Sequence, residues 1–260
     1  MISLSFTAWR WQWLCFCLCS AFLFAPAVFA QEVRADSDGD GLYDVWETSV
    51  FSTDPQRADT DGDGYADWTE IVNAYDPLAK GKKIRKDTDF DADALNDRLE
   101  LLFGTDLMVA DSNGNGFSDG DDVKESFSPT STGRIPLAKT IVIRLATQRL
   151  EQRIGGIVLA SYLVSTGKSK TPTPIGKYKV LSKTPKAWSV SAKLWMPYWM
   201  HFSGRGHGIH ELPIWPGGYR EGASHLGRPV SHGCVRLGIG AAKTLYDWAP
   251  VGTPIEVVKK

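Results

Sequence analysis

Four times between positions 36 and 122 the chain repeats a twelve-residue pattern of oxygen-bearing side chains. That internal repeat constrains the first half more than any helix or strand signal does. In the first copy Asp36, Asp38, Asp40, Asp44 and Glu47 occupy positions 1, 3, 5, 9 and 12, with Gly41 at 6 and Leu42 at 7. The second places Asp59, Asp61, Asp63, Asp67 and Glu70 in the same register, with Gly64 and Tyr65. The third has Asp89, Asp91, Asp93, Asp97 and Glu100 with Leu95 at 7, but Ala94 replaces the turn glycine. The fourth has Asp111, Asn113, Asn115, Asp119 and Asp122 around Gly116 and Phe117. Oxygens at positions 1, 3, 5, 9 and 12, a main-chain carbonyl at 7 and glycine at 6 are what a seven-coordinate Ca²⁺ loop needs. One match can arise by chance; four in one segment specify a calcium-loop module.

Acidic disorder would lack apolar residues at fixed offsets. Here Trp46, Trp68 and Leu99 sit one or two residues before position 12, so each loop is expected to lead into a short packed helix. A full EF-hand also needs an entering helix, and Ser52 to Gln56 is a poor candidate for one. These loops therefore resemble thrombospondin type 3 and dockerin-like calcium repeats, an EF-hand-like module with structural Ca²⁺. The Lys-rich insertion Lys80 to Lys86 reads as a solvated loop.

Overall charge is near zero and conceals two different halves. Residues 31–133 hold 9 Lys/Arg against 25 Asp/Glu, and residues 134–260 hold 19 against 5. Such asymmetry argues for two domains. Before them, Met1 to Ala30 is apolar with one charge, Arg10, and ends in Ala25-Pro26-Ala27 and Val28-Phe29-Ala30. Small residues at −3 and −1 fit a secretory signal peptide, with an uncleaved anchor as the alternative. The expected layout is a signal peptide at 1–30, an acidic calcium module at 31–127, a linker at 128–138 and a second domain at 139–260. The product is exported, to the periplasm or cell envelope.

After the linker the texture becomes β. Thr140–Leu145, Gly156–Val164, Lys177–Leu181, Tyr198–Phe202 and Pro254–Val258 read as strands, and Ala241–Trp248 as the one helix. A mainly β, sandwich-like domain follows. Of the four cysteines, Cys15, Cys17 and Cys19 lie in the signal segment, so cleavage leaves Cys234 as the single thiol. A lone exported cysteine with histidines nearby is a candidate nucleophile. All five histidines fall between His201 and His232, which makes zinc an alternative, although their spacing fits no common zinc motif.

Ser231-His232-Gly233-Cys234-Val235-Arg236-Leu237 and the upstream Gly208-Ile209-His210 resemble the signature of the L,D-transpeptidase (YkuD) catalytic domain. Val164 to Gly167, Thr171 to Gly176 and Val251 to Pro254 extend the likeness. It implies an L,D-transpeptidase β-sandwich with Cys234 as nucleophile, His210 as general base, and an oxyanion site at the N–H groups of His232, Gly233 and Cys234. Arg236, Ser231, Trp215 and Tyr198 are the candidates for substrate contact. The implied reaction releases D-alanine from a peptidoglycan tetrapeptide stem through a Cys thioester and passes the acyl group to an amine. Water as acceptor, giving a carboxypeptidase or amidase, is one alternative; a calcium-dependent envelope protein with structural or adhesive function is another. Implied partners are stem peptides and a wall-linked lipoprotein or other envelope protein, with neither nucleic acid nor lasting membrane insertion. Glu211 to Val230 is longer than the corresponding stretch in the family and reads as an enlarged loop over the site.

Overall fold

Alternating apolar positions from Lys139 onward build a sheet, and a computed structural model of the chain describes it within residues 34–260. The expected signal segment lies outside the described residues. The strands are β1 Lys139–Arg144, β2 Arg149–Ile154, β3 Ile157–Ser165, β4 Gly176–Lys179 and β5 Ser182–Ser189. They continue as β6 Leu194–His201, β7 Gly208–Glu211, β8 Val235–Leu237 and β9 Pro254–Val258. All nine join one sheet in the order β4-β9-β1-β2-β3-β8-β7-β6-β5. The expected sandwich is thus one continuous, curled sheet. Ile141, Ile143 and Val257 from one half pack in the same core cluster as Met200, Ile209 and Leu237 from the other. Tyr178 on β4 meets Phe202, just past β6, with ring centroids 5.3 Å apart. Burial of both inward faces against each other requires that curl.

The acidic repeats carry short helices: α1 Asp44–Trp46, running on as a π-helix Glu47–Phe51, then α2 Asp67–Val72, α3 Asp97–Phe103 and α4 Asp119–Glu125. The loops associate in pairs by one repeated bond. Asp40 Oδ2 in loop one accepts the Trp68 N–H of loop two at 3.1 Å, and Asp93 Oδ2 in loop three accepts the Gly120 N–H of loop four at 2.8 Å. Donor and acceptor hold the same loop positions, 10 and 5, in both pairs. The Lys-rich insertion is docked as well, since the Gly81 N–H donates to Asp63 Oδ2 at 2.7 Å.

Repeat module and sheet share apolar packing. Leu95, Leu99 and Val123 form one buried cluster with Ile154 of β2, and Leu137, Ile157 and Leu159 pack on it. The stretch read as a linker turns back on itself: the Ser128 N–H donates to the Ile135 carbonyl and the Leu137 N–H to the Ser126 carbonyl. Leu137 then packs against Gly155, at the β2–β3 turn. The final helix, α5 Ala241–Trp248, seals the core through Ala242 and Leu245.

Candidate active site and acidic loops

The pairing of β7 with β8 assembles the site. These two short strands run parallel in the middle of the sheet, with Ile209 opposite Val235 and His210 opposite Arg236. Cys234 immediately precedes β8, so strand pairing brings the two signature motifs side by side. Cys234, His210, Ser231, His232 and Arg236 line one groove of about 360 Å³. The β5–β6 hairpin walls it through Leu194 and Met196, and the β6–β7 turn through Arg205 and His207.

His210 is buried, and its Nδ1 sits 2.5 Å from the Glu211 carbonyl oxygen. A carbonyl only accepts, so Nδ1 carries the proton and the Nε2 lone pair is free to act as a base. Burial lowers the His210 pKa to about 3, reinforced by Arg236 and opposed by the carbonyl bond. Burial raises the Cys234 thiol, while a Gly208 main-chain hydrogen bond and Arg236 oppose that rise. The resting pair is therefore neutral thiol and neutral imidazole.

Two glycines admit the surrounding rings. Gly233 has φ +111°, and a Cβ there would fall 2.6 Å from His207 Cδ2. At Gly208 a Cβ would lie 2.4 Å from Trp199. Trp199, with its centroid 5.8 Å from that of His210, and His207 are site residues that the sequence reading gave no role. A glycine within two residues of each motif histidine was the available signal for close packing there.

Several expected contacts have other duties. Ser231 is fully buried; its Oγ donates to the Cys234 carbonyl at 2.6 Å and accepts the Gly233 N–H at 3.0 Å, clasping the nucleophile loop. The Gly233 N–H is thereby committed to Ser231, which withdraws it from the expected oxyanion site. His232 is exposed, with Lys168 Nζ 3.3 Å from its Nε2. Arg236 Nη1 donates to Glu221 Oε2 at 2.6 Å, and both side chains are about nine-tenths buried. The enlarged loop thus neutralises the guanidinium that was expected to meet a substrate carboxylate. Tyr198 packs on the core beside Tyr246, 5.8 Å between centroids, and does not line the groove. Trp215 also lies outside the groove lining, in the 213–220 turn where its N–H donates to the Tyr219 carbonyl.

In the acidic loops the position-1 carboxylates cap the turns. Asp36, Asp59 and Asp89 each accept two or more loop N–H groups. The position-9 residues are clamps rather than open ligands. Ser37 donates its N–H and its hydroxyl to the two oxygens of Asp44, and Thr60 does the same to Asp67. Asp97 takes the Phe90 N–H and the Thr88 hydroxyl, and Asp119 takes the Ser112 N–H.

What remains open is consistent across loops one to three. Asp38, Asp61 and Asp91 at position 3, and Glu47, Glu70 and Glu100 at position 12, each keep one buried oxygen with no hydrogen-bond partner. Buried acceptors without partners are costly, so paired orphans recurring in three loops fit a divalent cation. The position 1, 3 and 5 carboxylates of each of these loops bring oxygens within 4.8 Å of one another. Burial and neighbouring Asp charges push Glu47 and Glu70 up to about 7 and Glu100 to about 9.

Loop four differs from its expectation. Asn113 Nδ2 and Asn115 Nδ2 both donate to Asp122 Oδ2, and Arg134 Nη2 approaches Asp122 Oδ1 at 3.7 Å. Arg134 is held between the rings of Phe117 and Phe127, 4.2 and 4.1 Å from their centroids. Asn113 and Asn115 on Asp122 Oδ2, with Arg134 stacked on Phe117, form an internal lock, although Asp122 Oδ1 stays buried without a hydrogen bond, like the position-12 oxygens of the other loops.

A cysteine sharing a groove with a tautomer-fixed, buried histidine, beside a clasped main-chain turn, is the constellation of thiol acyl-transfer enzymes. Comparison with known proteins gives the same class. Residues 138–257 match the model of the YkuD L,D-transpeptidase catalytic domain. The chain is 25% identical over 123 residues to a putative L,D-transpeptidase YkuD of Bacillus licheniformis, covering 47% of this chain and 66% of that protein. It is 31% identical over 115 residues to L,D-transpeptidase 1 of Mycobacterium tuberculosis, covering 40% of this chain and 43% of that one. A solved L,D-transpeptidase from Mycobacterium smegmatis aligns with 25% identity and a TM-score of 0.42, over 48% of this chain and 60% of the other. The chain therefore spans less than two thirds of the length of each.

Proposed function

We propose that the domain is a peptidoglycan L,D-transpeptidase working through a Cys234 thioester. The observation that carries this reading is the His210 Nδ1 contact to the Glu211 carbonyl, which leaves Nε2 as a base in the groove that holds Cys234. His210 takes the thiol proton as Sγ attacks the carbonyl that links the third stem residue to the terminal D-alanine. The N–H groups of His232 and Cys234 receive the developing oxyanion. Collapse breaks the C–N bond, His210 returns the proton to the departing D-alanine amine, and the thioester remains. A side-chain amine of a second stem then attacks the thioester, loses a proton to His210, and restores the thiol. The product is a 3–3 cross-link or an attached envelope protein, in cell-wall biogenesis. Mass spectrometry of muropeptides after incubation with the protein tests this: 3–3 dimers support it. Shortened monomers alone identify a hydrolase, and unchanged muropeptides refute both.

Loops one to three fit one Ca²⁺ each, with the oxygens of positions 1, 3, 5 and 12 and the position-7 carbonyls as ligands. The ion neutralises the crowded carboxylates and so couples binding to folding. The apolar segment before Ala30 supports export to the periplasm or envelope.

A further inference from the structure

Among the described residues, the groove around Cys234 is lined by no Asp or Glu, and its lining contains two guanidinium groups, of Arg205 and Arg236. They are not equivalent. Arg236 is buried and its Nη1 already holds the Glu221 carboxylate at 2.6 Å, although its field still reaches His210 and Cys234. Arg205 is exposed and, among the described residues, has no carboxylate partner. Its position is fixed by a tight turn between β6 and β7. The Gly206 N–H donates to the Ser203 carbonyl at 3.0 Å, and Ser203 Oγ lies 2.7 Å from His207 Nδ1. His207 in turn packs on Gly233, next to the nucleophile. The turn thus holds a free, forked cation at the groove wall within one packed layer of the thiol. Arg205 also depresses the His207 pKa, second to burial, so its field reaches the groove.

We infer that Arg205 is the residue that recognises the carboxylate of the acyl donor, while Arg236 anchors the enlarged loop through Glu221. The carboxylate belongs to the stem terminus on the acyl-transfer reading, and the inference rests on that reading only for this identity. A guanidinium reads a carboxylate through two parallel N–H donors, which a neutral groove cannot replace. Lys168, beside His232, is the other cation near the nucleophile loop and the natural competitor for the role.

The test needs no stem peptide. Alkylation of Cys234 by iodoacetate and by neutral iodoacetamide is followed in the full chain, with modification at Cys234 read by peptide mass spectrometry. Each rate is referenced to N-acetylcysteine, and the iodoacetamide rate controls for folding and thiol reactivity in every variant. The wild type should favour the anionic reagent by about fivefold, the size an exposed charge pair supports. The preference should fade in ~1 M salt, where the screening length is about 3 Å. Arg205→Ala should abolish it, Arg205→Glu should invert it, and Arg205→Lys should retain most of it. An undiminished preference in Arg205→Ala, or its loss in Lys168→Ala with Arg205 intact, overturns the assignment. The ratio answers whether or not the protein cross-links muropeptides, so failure of the acyl-transfer reading and failure of this inference remain separate.

Discussion

The Nδ1 of His210 lies 2.5 Å from the carbonyl oxygen of Glu211, its own neighbour in β7, and this contact selects the tautomer that leaves Nε2 basic. The base is thus oriented by main chain rather than by a carboxylate, and burial holds its pKa at about 3. With Cys234 raised by burial, neither group is charged at neutral pH. The rate should therefore show no acid limb near the ordinary histidine value of ~6.5, and kcat/KM should stay level from about pH 8 down to about pH 5. A limb at pH ~6–7 would mean that His210 is solvated. The same burial has a stability consequence: between ~6.5 and 3 the unfolded chain binds a proton that folded His210 refuses, so stability falls as pH falls. His210→Ala should lower kcat by ~10²–10⁴-fold.

Glu221 should matter to stability more than its place in a loop suggests. Glu221→Gln removes the partner of a buried guanidinium, at a cost of about 3 kcal/mol. Thermal unfolding should fall by roughly 6–12 °C. The double variant Glu221→Gln/Arg236→Met should recover most of that loss, because no buried charge is left uncompensated. Equal Tm values for wild type and Glu221→Gln would place the pair in solvent.

Gly233→Ala must either abandon φ +111° or push against His207 Cδ2 at 2.6 Å. Gly208→Ala meets the Trp199 ring with no free space. Each substitution should cost about 1–3 kcal/mol and reduce turnover at least tenfold, measured as melting temperature and steady-state rate. Gly133→Ala, exposed, without a positive φ and with nothing within 4 Å of its Cβ position, should leave turnover near wild type. Equal losses in all three would point to a general effect of glycine replacement.

For the repeats, a stoichiometry of three Ca²⁺ per chain is expected in calorimetric titration, since Arg134 and two Asn amides fill loop four. Four ions would contradict the lock. Chelator should lower Tm, and Ala94→Gly should raise the Tm of the loaded protein by a few degrees. Ala94 holds φ +78°, a conformation that costs about 1–2 kcal/mol for a side chain and little for glycine.

How much of this the chain announces depends on the range of the interaction. The motifs that hold Cys234 and His210 are local and lie together in one groove, as strand pairing requires, and α5 was read to the residue. β2 was missed because its sequence, Arg149-Leu-Glu-Gln-Arg-Ile154, is mostly polar, with Glu151 paired to Arg144 and Arg153 on the sheet surface. β5 was missed because it holds Pro185 and two lysines, composition suited to the sheet edge it forms. The pairing of Glu221 with Arg236 and of Arg134 with Asp122 joins residues twelve or more apart, and no periodicity reports such pairs. The position-9 residues were assigned as ligands from spacing alone, which cannot separate a carboxylate facing the ion from one facing the loop's own hydroxyl.

A covalent acyl group at Cys234 is the central step of the proposed reaction. Intact-mass analysis of His210→Ala and wild-type protein, quenched in acid during incubation with a tetrapeptide stem, tests it most directly. The expected result is a wild-type adduct equal to the stem less D-alanine, localised to the Cys234 peptide, slow to form in His210→Ala and lost in Cys234→Ala. Turnover of the stem by Cys234→Ala, or an adduct on any other residue, would contradict it.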